Sequence, residues 1–190
     1  VSYVGGDGND VTLTAVAPPP PGGSVVLAVG QGGGAGSTGT VQIYDTTGSV
    51  VAALNPFPSF AGGVRVAAAD FTGDGVPDVA VGTGPGRPTQ VQVIDGSTGA
   101  VVFDFAPFEA TFLGGLYVAA GDLTGDGVAE LVITPDQGGG PRVRAFDVRA
   151  GGVQVLDFFG IEDTTFFGGA RAAVGDVTGD GVNDLLVAAG

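Results

Sequence analysis

The 190-residue chain contains no Cys, Met, Trp or His, and its six basic residues are all Arg. These absences remove thiol nucleophiles, the usual zinc and haem ligands and every imidazole proton relay, so most common catalytic chemistry is excluded. A cysteine-free chain neither requires nor forbids an oxidising compartment. Against the six Arg stand 20 acidic residues, a formal charge of −14. Such a surface repels nucleic acid and anionic membrane, and cations are its natural counter-charge. No apolar run approaches the length of a bilayer span and no leader is legible, so the sequence reads as a mature or excised segment that does not insert into a membrane.

Glycine, by contrast, is abundant: 38 Gly with 12 Pro make up about a quarter of the chain, alongside 44% hydrophobic residues. Without a collagen period, that balance indicates a packed all-β fold of short strands joined by tight turns. One acidic loop occurs three times, as Asp70-Phe-Thr-Gly-Asp-Gly-Val-Pro-Asp78, Asp122-Leu-Thr-Gly-Asp-Gly-Val-Ala-Glu130 and Asp176-Val-Thr-Gly-Asp-Gly-Val-Asn-Asp184. The loops start 52 and then 54 residues apart and hold nine of the acidic residues. A period of that length belongs to a propeller, solenoid or array.

Around the loops the same strands recur. Val64–Ala69, Tyr117–Gly121 and Arg171–Gly175 precede them; Val79–Gly82, Leu131–Thr134 and Leu185–Ala188 follow, and Leu27–Gly30 matches the latter set. Next come the alternating segments Thr40–Asp45, Gln90–Asp95 and Arg142–Asp147, then Val50–Leu54, Val101–Phe105 and Val153–Asp157 after Gly-rich turns. The small residues of the strand before each loop suit convergence on an axis, so that strand is expected innermost. Four antiparallel strands per repeat describe a β-propeller blade. The strand count gives about three and a half blades, a partial ring or one completed by oligomerisation through unpaired end strands. Residues 1–16 read as the end of an upstream domain or a lone strand, 17–23 as a Pro-rich linker, and 24–190 as the blades. Gly5–Asp10 matches the start of a calcium β-roll repeat, but a single copy cannot build a roll.

Hard cations such as calcium take six or more oxygens at about 2.3–2.6 Å, and alternate residues of a loop can supply them. The expected ligands are Asp70, Thr72, Asp74, the Val76 carbonyl and Asp78; Asp122, Thr124, Asp126, the Val128 carbonyl and Glu130; and Asp176, Thr178, Asp180, the Val182 carbonyl and Asp184. That makes up to three calcium ions. A plain Asp-Gly turn needs neither the first nor the ninth acid. Thr at position 3 is expected to weaken each site, and the longer Glu130 to alter the second. Without a cation, repulsion among the carboxylates is expected to raise their pKa values or open the loop.

The loops, together with Phe112-Leu-Gly-Gly115, Phe166-Phe-Gly-Gly-Ala170 and Gly82-Thr-Gly-Pro-Gly86, resemble FG-GAP/VCBS repeats, a repeat shared by integrin α-subunit propellers. The likeness runs over roughly 22–190. The N-terminal unit departs from it, with Pro18, Gly22 and Val26 where acids should stand, so no calcium is expected there. The resemblance implies a propeller with calcium loops between inner strands, extracellular or at the cell surface, and no single activity. The expected function is a non-catalytic, calcium-stabilised interaction or adhesion module for an unidentified protein or glycan ligand. The alternatives are a self-assembling surface protein and a glycan-binding domain. Loops Gly30–Gly39, Gly82–Thr89 and Pro135–Pro141 are candidate binding surfaces. The acid pairs Asp157/Asp163 and Glu109/Asp104 are expected to be solvated, and Phe57, Phe60, Phe105, Phe108, Phe112 and Phe158 to pack into the core rather than form a ligand cage.

Overall fold

The computed structural model describes residues 27–163 and 165–190; the readings made above for 1–23, and for Pro18, Gly22 and Val26, lie outside them. The described chain is all-β, with thirteen strands: β1 Leu27–Gly30, β2 Val41–Tyr44, β3 Val50–Leu54, β4 Val64–Ala69, β5 Asp78–Thr83, β6 Val91–Ile94, β7 Val101–Phe105, β8 Leu116–Gly121, β9 Glu130–Pro135, β10 Arg142–Asp147, β11 Val153–Phe159, β12 Ala170–Gly175 and β13 Asp184–Ala189. They form four antiparallel sheets, β1-β2-β3, β4-β5-β6-β7, β8-β9-β10-β11 and β12-β13, each meandering from its first strand outward. This is the arrangement of propeller blades; the ring is not closed.

The core lies between sheets rather than within them. Three apolar clusters fill the three successive interfaces: Val41, Val64 and Val81 between the first and second sheets, Phe71, Val93 and Leu131 between the second and third, and Val132, Val143 and Ala145 facing the fourth. A strand covered on both faces must be apolar throughout. Accordingly β5 and β9 are buried at every position, whereas the rim strands β3, β7 and β11 are mostly exposed. Strand β13, the counterpart of β5 and β9, is only half-buried, because its two-stranded sheet is packed on one face alone. The first strands β4, β8 and β12 touch in succession, which the runs of Ala and Gly permit.

The Phe-x-Gly-Gly segments lock one sheet to the next. Gly86 N–H donates to the Leu113 carbonyl at 2.9 Å, Gly138 N–H to Phe167 at 2.9 Å and Gly34 N–H to Ala61 at 3.0 Å, the same bond at three interfaces. A Cβ on Gly114 would lie 2.4 Å from the Gln137 carbonyl oxygen and 2.6 Å from the Phe112 ring, so the close approach requires glycine.

On the outer pair of the third sheet, Arg142 grips Asp157 with both arms, Nε–Oδ1 and Nη2–Oδ2 at 2.7 Å, and Arg142 hydrogen bonding holds the Asp157 carboxyl below its ordinary value. A depressed folded pKa gives stability that is present above the unfolded value and lost as pH falls through the folded one. Arg142→Ala should therefore cost about 0.5–1 kcal/mol at neutral pH. Urea unfolding of both proteins should show the difference vanish in acid below the ordinary carboxylate range.

Candidate functional site

The three acidic loops connect β4 to β5, β8 to β9 and β12 to β13, so all lie at one end of successive sheets. Their glycines take the left-handed path that any side chain would strain: Gly73 and Gly75 at φ 80° and 84°, Gly125 and Gly127 at 79° and 85°, Gly179 and Gly181 at 78° and 84°.

That path aims the backbone amides inward, and the first acid of each loop accepts them. Asp70 takes Gly73 N–H at 2.6 Å, Asp74 N–H at 3.2 Å and Gly75 N–H at 2.8 Å. Asp122 takes Gly125, Asp126 and Gly127 at 2.6, 3.2 and 2.8 Å. Asp176 takes Gly179, Asp180 and Gly181 at 2.6, 3.2 and 2.9 Å. The fifth acid caps the seventh residue: Asp74 accepts Val76 N–H at 2.8 Å, Asp126 accepts Val128 at 2.9 Å and Asp180 accepts Val182 at 2.9 Å.

The ninth acid reaches back across the loop. Asp78, with no exposed surface, accepts Phe71 N–H at 2.9 Å and Thr72 N–H at 3.0 Å on one oxygen, and Gly96 N–H at 2.9 Å on the other. Asp184 does the same with Val177 and Thr178 at 3.0 and 3.1 Å. Glu130, one methylene longer, takes Leu123 N–H at 2.7 Å but meets Thr124 through its hydroxyl at 3.3 Å.

These bonds offset part of the repulsion among the carboxylates. The Asp126 and Asp176 carboxyls sit below their ordinary value, first because Val128 and Gly181 amides bond them. Asp78 and Glu130 are pushed up, but chiefly by burial, with the neighbouring charges of Asp122 and Asp126 the smallest contributions to Glu130. The amides solvate the charges of the first and fifth acids.

Each loop carries its three predicted acids and its Thr, with Val76, Val128 and Val182 two residues before the last acid. Their carboxylates are turned onto amides, and among the described residues no three acidic side chains converge on one point. The donor chemistry nonetheless fits a hard cation. Every side-chain ligand is oxygen, and Asp74 and Asp180 each keep one carboxylate oxygen with no backbone bond. In the second loop that oxygen is already taken, by the guanidinium of Arg149.

Two features were not anticipated from the sequence. Successive loops are chained, Ala129 N–H donating to the Asp70 carbonyl at 3.0 Å and the Asn183 side-chain amide to the Asp122 carbonyl at 2.9 Å. Arg149 also approaches Gly73, so it stands between the first and second loops. The available signal was an Arg at a turn position occupied by Thr47 and Ser97 in the other repeats.

At the opposite end of the sheets lie the three Gly-rich loops considered as binding surfaces. Beside the third is a groove of about 380 Å³ lined by Phe108, Phe112, Phe159 and Phe167 with Glu109 and Arg142. Phe57 is buried and Phe60, Phe105, Phe108 and Phe112 are partly so, whereas Phe158 is 40% exposed on the rim strand β11 and does not join the core. Of the two acid pairs, Asp157 is held by Arg142, and Asp104 accepts the Gln90 and Gln92 amides.

Comparison with known proteins agrees with this geometry. Residues 62–103, from the second sheet's entry into β7, match the FG-GAP repeat family model. Integrin alpha-V of Gallus gallus is 30% identical over 140 residues, which covers 67% of this chain. The chain spans 14% of that relative's length.

Proposed function

From a chain that carries FG-GAP repeat sequence and folds as propeller blades, we infer a non-catalytic interaction or adhesion module, extracellular or at the cell surface, whose blades are stabilised by calcium in the three acidic loops. The observation that carries this reading is the threefold recurrence of one loop geometry, in which the first and fifth acids hold the same amides to within 0.1 Å. Asp70, Thr72, Asp74 and Asp78 would hold the ion in the first loop. Asp122, Thr124, Asp126 and Glu130 would do so in the second, and Asp176, Thr178, Asp180 and Asp184 in the third. Bound calcium would supply charge neutralisation and a tie between the first two strands of each blade. Weak sites of this kind fill where calcium is millimolar, which favours the outside of a cell. The −14 formal charge supports the same choice of counter-ion.

Calorimetric titration of chelator-treated protein should give about three calcium equivalents per chain, with magnesium binding more weakly. Zero equivalents would reject the reading.

Arg149 bears on the second loop specifically. Its guanidinium occupies the Asp126 oxygen that a cation would need, and both side chains are partly exposed. Arg149→Ala should tighten the second site about two- to fivefold, the worth of an exposed ion pair. The same titration, with Asp74→Asn and Asp180→Asn silencing the other loops, measures it.

A further inference from the structure

The second residue of each inner strand is Arg65 on β4, Tyr117 on β8 and Arg171 on β12, all at the end remote from the acidic loops. Three residues in one register on consecutive strands form a column. Arg171 Cζ lies 3.6 Å from the Tyr117 ring centroid and Arg65 Cζ 5.0 Å from it. Asp136, which follows β9 and is buried, faces both guanidiniums: Arg171 Nη2 is 3.4 Å from Oδ1 and Arg65 Nη2 is 3.8 Å from Oδ2. The same Oδ1 accepts the Gln137 amide at 2.7 Å.

This is an excess of positive charge, two guanidiniums against one carboxylate, inside a chain of formal charge −14 with six Arg in all. The cations are not saturated. Charge-assisted bonds run at about 2.7–2.9 Å, shorter than either contact with Asp136. Among the described residues Arg65 Nε is buried with no hydrogen-bond partner, and Arg171 Nη1 meets the Ala170 carbonyl alone, at 3.2 Å. Stacking on Tyr117 orients the two planar groups without using their N–H donors. Oriented, under-bonded guanidiniums match carboxylate, sulfate and phosphate, which accept the fork bidentately.

We propose that Arg65, Tyr117 and Arg171 form an oxyanion-binding site at the inner-strand end opposite the acidic loops. The site does not depend on calcium in those loops. Its ligand is a free oxyanion or the carboxylates of an acidic partner segment, and one experiment separates the two. Full-length chain is titrated calorimetrically, at fixed ionic strength in chloride, with sodium sulfate and separately with a blocked tetraglutamate peptide. Saturable binding of either probe is expected; sulfate alone would assign the source as a free ion, the peptide alone as an acidic segment. Arg65→Gln and Arg171→Gln should each weaken binding about tenfold, the loss of a charge-assisted bond. Arg87→Gln, whose guanidinium stacks on Phe57 and Phe60 elsewhere, should bind as the parent does. Thermal unfolding of each variant guards against misfolding; should Arg65→Gln unfold, the more exposed Arg171→Gln decides. Absence of saturable binding to both probes, or unchanged affinity in the folded Arg variants, would overturn the proposal.

Discussion

Replacing Asp78 with Ala in the presence of chelator should cost about 3–5 kcal/mol of folding stability, because three backbone donors lose a buried, charged acceptor at once. Phe71, Thr72 and Gly96 all donate to it, so the change unties the acidic loop from both its own start and the β6–β7 turn. At about 2–4 °C per kcal/mol for a domain of this size, the melting point should fall by roughly 10 °C. Asp184→Ala is the internal comparison: its carboxylate serves Val177 and Thr178, both more open to water, and the loss should be about 1 kcal/mol or less. Burial pushes the Asp78 carboxyl above its ordinary value, outweighing the pull of Gly96, Phe71 and Thr72. A raised folded pKa means that this group's protonation favours the native state. The pH-dependent part of its contribution is complete below the unfolded value of 3.8 and is lost as pH rises through the folded one, leaving the amide bonds to the carboxylate. The penalty of Asp78→Ala should therefore change across the window just above pH 3.8, while that of Asp184→Ala serves as the reference. Equal losses at the two positions would show that burial of the ninth acid is irrelevant.

Calcium should raise the melting point by more than any single substitution lowers it. An ion bound only to the folded state adds about 2.7 kcal/mol when present at 100 times its Kd. Three such sites, about 8 kcal/mol together, would shift the transition by about 15–30 °C. The apolar cores between the sheets are built without the loop carboxylates, so chelation should leave a folded but less stable protein rather than an unfolded chain. Far-ultraviolet dichroism should therefore be the same at 20 °C with calcium or chelator, and differ only in the position of the melt. The shift should shrink by about a third in each of Asp74→Asn and Asp180→Asn. Coincident melts with calcium and chelator would remove stabilisation from the account.

Much of this architecture was legible in the sequence because it repeats. Every strand expected within the described residues is present, and most bounds agree to within one residue, since the alternation of Val41–Tyr44 or Val91–Ile94 and the Gly-rich turns leave little freedom. The small residues of β4 and β8 marked them as inner strands for a reason the structure supplies: their backbones approach one another. What was not legible depends on which groups meet across repeats. Asp78 was read as a ligand like any other acid, yet its burial and three amide bonds follow from the β6–β7 turn 18 residues away. Arg149 joins two loops, and the Arg65–Tyr117–Arg171 column crosses three sheets; neither leaves a trace in local spacing. The expected repulsion between carboxylates is visible only as a minor push on Glu130, because burial dominates the raised acids and glycine-shaped loops deliver amides to the other charges.

The most direct test of the cation loops is diffraction from crystals grown in millimolar calcium, with anomalous data that locate the ion independently of any assumed ligands. One peak is predicted at each acidic loop, bonded at about 2.3–2.6 Å by oxygens of the first, fifth and ninth acids, which implies that the carboxylates rotate off some amides. Loops that keep their amide bonds, with no anomalous peak beside Asp74, Asp126 or Asp180, would contradict it.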